Sequence, residues 1–165
     1  MRRNEQGYDV HRLVEGRPLV LGGVEISHPK GLLGHSDADV VAHAICDALF
    51  GACSLGDLGR HFPDTDDAWK DASGAKLLAR TVEILRVSGY VPVNVDVTVA
   101  AQAPRLAPHR ETMVGNVARA LALPESRVSV KFTTTERLGF EGREEGVAAT
   151  AVALVGRIPL APEVR

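Results

Sequence analysis

The run VAATAVALV, residues 147–155, constrains this chain more than any other stretch. It carries no charge, and its only hydroxyl is Thr150. A half-buried strand alternates apolar and polar positions, whereas this one is apolar on both faces and rich in β-branched residues. Such a strand either lies at the centre of a covered sheet or is buried in a contact between subunits. Either way both of its faces must be covered, by the chain's own elements or by a neighbouring subunit. With 165 residues, 45% of them hydrophobic, the chain has enough apolar material for one such core.

The other segments fit around that strand. GYDVH (7–11) reads as a strand, and LVLGGVEI (19–26) as a hairpin turning on Gly22 and Gly23. HSDADVVAHAICDALFGA opens with Ser36-x-x-Asp39, a capping-box spacing, and continues as a helix. SGAKLLARTVEILRVSGY predicts a second helix with Gly89 at its C-terminal cap. VNVDVTVAA (93–101) places Val93, Val95, Val97 and Val99 on one strand face. LAPHRETMVGNVARALAL predicts a third helix with Pro108 near its start, and RVSVKF (127–132) another strand. The expected architecture is α/β (α+β): a two-layer sandwich of a mixed four-stranded sheet plus a small hairpin, with helices on one face. No repeat or linker interrupts it, so residues 1–165 read as one domain.

Charge and cysteine content narrow the function classes. The net charge is −2 and no basic run stands out, which argues against a nucleic-acid surface. Cys46 and Cys53 do not form a CxxC pair and suit a reducing compartment. MRRNEQ lacks the apolar core of a signal peptide, and no run approaches the ~20 apolar residues of a membrane span. The sequence reads as a soluble cytoplasmic protein without a membrane partner.

Chemistry concentrates at a few places. In GYDVHR, Asp9 and His11 flank one valine, so on a strand both point to the same face, roughly 6–7 Å apart at Cα. On the first helix, His43 shares a stripe with Asp39 and Asp47, opposite an apolar stripe of Val41, Ala44, Ile45, Ala48 and Ala52. That placement reads as a histidine outside the core, either a plain surface residue beside two acids or a ligand. Asp9, His11 and His43 together make a two-histidine, one-carboxylate set suited to a divalent ion with an open position. Cys46, a turn beyond His43, is a candidate fourth ligand, although a small buried residue is the preferred reading. GDLGRHFPDTD (56–66) is a polar, glycine-punctuated loop. TTTE (133–136) offers three hydroxyls and a carboxylate, apt for phosphate oxygens and a hard cation. RLGFEGREEG (137–146) is a further glycine-rich loop, and no P-loop or strand-linked GxGxxG is present.

These segments, in this order, resemble the 2-C-methyl-D-erythritol 2,4-cyclodiphosphate synthase family of the non-mevalonate isoprenoid pathway. The resemblance rests on GYDVHR, KGLLGHSDADVVAHAICDALFGA, LGDLGRHFPDTD, NVDVTVAAQAPRLAPH and TTTERLGFEGREEGVAATAVAL, from residue 7 to about 155. It implies a homotrimer with sites between subunits. It also implies zinc on Asp9, His11 and His43, and magnesium or manganese on Glu136. His35 and Thr134 would stabilise the transition state. His35 and Ser36 would hold the substrate's phosphate arm; Asp57, Leu58 and Gly59, with Phe62, Pro63, Asp64, Thr65 and Asp66, would frame its sugar parts. Ala101, Ala103, Pro104, Arg105, Leu106 and Ala107 would receive the cytosine end. Thr133, Thr135, Phe140 and Arg143 would complete the site. The implied reaction closes a cyclic diphosphate from a cytidine diphosphate substrate and releases CMP. Two other readings stand beside it: a zinc-dependent phosphohydrolase, and a trimeric binding or structural protein with an incidental metal site.

Overall fold

The computed structural model describes residues 1–158. Its main sheet has five strands in the order β4-β1-β7-β5-β6: β1 (Arg2–Glu15), β4 (Lys30–Leu32), β5 (Tyr90–Ala100), β6 (Val128–Thr133) and β7 (Gly146–Arg157). Only β5 and β6 run parallel; the other neighbours are antiparallel. The expected four strands are all present, and the short β4 adds a fifth by pairing with the end of β1 at Leu13–Leu32. The two-faced apolar run lies in β7, paired on both sides by β1 and β5. There Val147, Ala149, Ala151, Ala153 and Val155 are buried.

The hairpin is β2 (Leu19–Leu21) and β3 (Val24–Ile26). Its turn residues Gly22 and Gly23 both have positive φ, +56° and +69°, which a two-residue turn of this hand requires. Helices α1 (Val40–Ala52), α3 (Gly74–Val87) and α4 (Arg110–Leu121) pack against the sheet, with short turns α2 (Leu58–His61) and α5 (Gly139–Gly142) between elements. Among the described residues no helix is long and apolar enough to cross a membrane.

Three local expectations are corrected. Helix α1 begins at Val40, and its N-cap is Asp39 rather than Ser36. The Asp39 carboxylate accepts the N–H groups of Val41 and Ala42 and also those of Gly22 and Gly23 (2.9 and 2.8 Å), so one buried acid ties the helix start to the hairpin. Val93 does not share the buried face with Val95, Val97 and Val99, because the β5–β7 register shifts between Pro92 and Asn94. Nor is α1 two-sided. Eleven of its residues are buried, His43 included, because sheet, α2 and α3 enclose it.

Strand β1 and helix α1 come into direct backbone contact at Gly7. A Cβ there would lie 2.0 Å from the Ala44 carbonyl oxygen and 2.6 Å from the Ala48 nitrogen, so only hydrogen fits. Gly7, Asp9, His11 and Leu13 share the helix-facing side of β1, while Tyr8 and Val10 are exposed on the other.

Candidate active site

Asp9 and His11 point from β1 toward α1, and His43 on α1 meets them one turn from the Gly7 contact. Asp9 Oδ2 lies 3.0 Å from His43 Nδ1 and 3.2 Å from His11 Nε2, and the two ring nitrogens are 3.2 Å apart. A tetrahedral zinc with ligands at ~2.0–2.1 Å has ligand–ligand edges of about 3.3 Å. The three atoms already stand almost at that spacing.

The contacts behind these atoms also fit a cation. His11 Nδ1 is 2.6 Å from the Leu33 carbonyl, which can only accept, so Nδ1 carries a proton; the protonated ring then offers an Nε2–H to Asp9, and the neutral ring turns an Nε2 lone pair inward for a cation. Burial favours the neutral forms of both groups, but their pairing outweighs it. Hydrogen bonds from His11 and His43 hold Asp9 well below the usual carboxylate range, and the Asp9 carboxylate raises His11 above its ordinary value. Here, then, are an ionised acid and two imidazoles converging on one point: a metal-binding site. His43 is only 4% exposed, so the expectation of a histidine outside the core is corrected. Asp39 and Asp47 are not its neighbours in function; Asp39 caps α1, and Asp47 accepts the Leu58 N–H at 2.6 Å. Cys46 stands outside the set as well. Burial pushes its thiol up to about 12, and its sulfur accepts the Thr81 hydroxyl.

The triad opens into a cavity of about 480 Å³ that also takes in His35, Ser36, Leu58, Gly59, Phe62, Pro63 and Asp64. Gly34, Trp69 and Leu77 line it too, and sequence reasoning did not select them. Trp69 was detectable in principle, as the only tryptophan, placed just past a polar loop. Asp57 and Asp66 act locally: Asp57 caps α2 through the Arg60 N–H, and Asp66 caps the turn at 67–69 while its carbonyl faces His35 Nε2 at 3.3 Å.

A second cavity, of about 320 Å³, lies beyond the ends of β5 and β6. Residues 101–107 form one wall and Phe132, Thr133 and Thr134 the other; Gln102 and Phe132 are additions to the sequence-based set. His35 and Thr134, paired in the resemblance, line different cavities within this chain. Glu136 is exposed and accepts the Thr134 hydroxyl at 3.2 Å. Thr135 bonds to the Leu138 carbonyl, Phe140 packs beside Gly146, and Arg143 forks onto Glu145 (3.0 and 3.1 Å). None of these four residues lines either cavity.

The YgbB family model matches residues 3–156. A protein from Salinibacter ruber named 2-C-methyl-D-erythritol 2,4-cyclodiphosphate synthase is 62% identical over 149 residues, 90% of this chain and 95% of that one. Among solved structures, the bifunctional IspDF from Campylobacter jejuni superposes with a TM-score of 0.91 at 42% identity. The match covers 96% of this chain and 43% of that longer one. A 2C-methyl-D-erythritol-2,4-cyclodiphosphate synthase in its CDP-bound form superposes with a TM-score of 0.85 at 38% identity, covering 93% of this chain and 100% of that one.

Proposed function

The chain belongs to the YgbB family, and from that premise we propose that it is a 2-C-methyl-D-erythritol 2,4-cyclodiphosphate synthase. Its substrate is 4-diphosphocytidyl-2-C-methyl-D-erythritol 2-phosphate. An oxygen of the 2-phosphate attacks the β-phosphorus, the bond from that phosphorus to the bridging oxygen breaks, and CMP leaves. The observation that carries this reading is the inward-facing Asp9, His11 and His43 triad at the head of a cavity walled by the matched motifs.

Nucleophile and electrophile belong to one molecule, which explains why the site needs no nucleophilic serine or cysteine. Holding the substrate bent supplies the proximity. The obstacle is the approach of two anionic phosphates. Zinc on Asp9, His11 and His43, with magnesium or manganese on Glu136, supplies the positive charge that offsets it. His35 and Thr134 donate hydrogen bonds to oxygens that gain charge. Asp57 and the loop 62–66 frame the sugar, residues 101–107 take the cytosine, and Phe140 and Arg143 close the site.

Because His35 and Thr134 line separate cavities in one chain, the working site forms where the first cavity of one subunit meets the second of its neighbour. A homotrimer accomplishes this and also covers the outer sheet face, where Tyr8, Val10 and Val152 are 51%, 43% and 44% exposed. The assembly acts in the cytoplasm.

Oxygen-18 water tests the chemistry. In a cyclase the attacking oxygen is the substrate's own, so both the cyclic diphosphate and CMP emerge unlabelled. Heavy oxygen in the phosphate product would replace this reading with a zinc-dependent phosphohydrolase. Absence of any turnover would leave a binding protein.

A further inference from the structure

Ser36 is read by resemblance as a contact to the substrate's phosphate arm. Its position in the fold points to an additional role. It is buried, and its Oγ lies 3.1 Å from His43 Nε2, on the side of the ring away from the triad. The Ala38 N–H also points at this oxygen, at 3.1 Å, and an amide can only donate. One of the hydroxyl's two acceptor positions is therefore taken by the backbone, and the other faces the imidazole.

We propose that Ser36 is a positioning residue for the metal centre: its hydroxyl accepts Nε2–H of His43 and so turns the Nδ1 lone pair toward Asp9 and His11. The inference rests on the reading that this triad holds zinc. The alternative protonation shows what the contact decides. Were the Ser36 hydroxyl to donate to Nε2, the ring proton would sit on Nδ1 and point at Asp9 Oδ2, 3.0 Å away, where a cation belongs. The two histidines are thus oriented by different means. His11 is fixed by the Leu33 carbonyl, which cannot reverse, whereas His43 is fixed by a hydroxyl that can rotate. With both acceptor positions of Ser36 filled from behind, its own proton is left for the cavity. A phosphate oxygen that accepts this proton holds the hydroxyl in its accepting orientation toward His43. One oxygen then serves both ligand geometry and substrate contact.

The test is zinc affinity of the full-length protein, measured by competition with a chromophoric chelator, for wild type, S36A, S36T and H43Q. S36A is expected to weaken zinc by about 10- to 100-fold, the usual cost of losing a partner behind a metal-bound histidine. S36T, which keeps the hydroxyl, is expected to restore most of it. Electronic spectra of the cobalt-substituted proteins should show altered ligand geometry in S36A alone of that pair. Thermal melts followed by circular dichroism separate these effects from misfolding. Long-range proton–nitrogen NMR of the zinc-loaded wild type supplies a measurement free of any variant, and should place the His43 proton on Nε2. Wild-type zinc affinity in S36A while H43Q has lost the metal, or an Nδ1–H tautomer in the loaded protein, would overturn the role of Ser36 and leave the metal site standing. Undiminished zinc in H43Q would instead remove the zinc reading itself.

Discussion

The two cavities differ in how their polar groups are held. Around the triad both histidines have support behind them, Leu33 behind His11 and Ser36 behind His43, and Asp9 is held between the two imidazoles. These groups sit on a long strand and a thirteen-residue helix locked together at Gly7. The second cavity is walled by the loop 101–107 and the end of β6, and the turn 134–138 lies beside it. Thr134 and Glu136 bond mainly to one another, Glu136 and Arg137 both adopt positive φ (+52° and +66°), and the Arg137 N–H is anchored across the loop by Gln102 Oε1 at 3.1 Å. Non-glycine residues held in that conformation store local strain, a pattern typical of functional loops. The first region is held by regular elements packed on one another; the second is held by turns that bond chiefly to themselves.

The sharpest way to break this comparison is to remove one group from each side. H43Q should lower zinc affinity by more than the ~100-fold that outer partners cost, and should abolish turnover with the fold retained. E136Q should keep zinc and raise the magnesium or manganese needed for half-maximal rate about tenfold, equivalent to ~1.4 kcal/mol. Metal analysis and rate titrations read both variants. Equal zinc loss in the two would show that the regions are not separate.

G7A tests whether the rigid half depends on the strand–helix contact. The added methyl meets backbone on α1, so the helix must retreat, and overpacking of this kind costs about 1–3 kcal/mol. Denaturant melts should show that loss together with weaker zinc, while CDP binding in the second cavity is less affected. A stability loss with zinc affinity unchanged would uncouple Gly7 from the metal centre.

The smallest expected effect is in the metal-free protein. His11 is raised above its ordinary 6.5, so its contribution to stability is complete below that pH and is lost as pH climbs through the raised value. Asp9 is lowered from 3.8, so its contribution is present above that pH and fades on acidification. Metal-free protein should therefore melt at a lower temperature at pH 8 than at pH 5.5. Zinc, which requires neutral His11, should bind more weakly at the lower pH. Differential scanning calorimetry with and without zinc checks both signs.

Much of this was legible in the residues themselves. Strand periodicity set Asp9 and His11 on one face, the β7 run announced a strand either central or buried between subunits, of which the sheet shows the first, and Gly22-Gly23 announced the hairpin. Local pattern misled where several elements converge. A helix enclosed on most sides does not advertise which residue is buried, so His43 read as an outer position. A serine and an acid, Ser36 and Asp39, stood within cap distance of α1, and the hairpin's amides add to the helix's own in holding Asp39 at the cap. The bulge beside Pro92 that removes Val93 from its face, and the pairing that recruits β4, arise from long-range register with β7 and β1. Trp69, Leu77, Gln102 and Phe132 come to the cavities through chain path, which no short motif encodes.

The hydrogen-only contact at Gly7 also bears on which acid can serve as a ligand. It fixes the gap between strand and helix at its minimum, and within that gap a side chain from β1 has room for one methylene before its carboxylate reaches His43 Nδ1. Aspartate fits this span; glutamate at the same position would overshoot the meeting point and have to fold back. The absent side chain at residue 7 thus selects the length of the one at residue 9. Anyone rebuilding this centre for a larger ion would have to widen the floor at Gly7 before lengthening the acid.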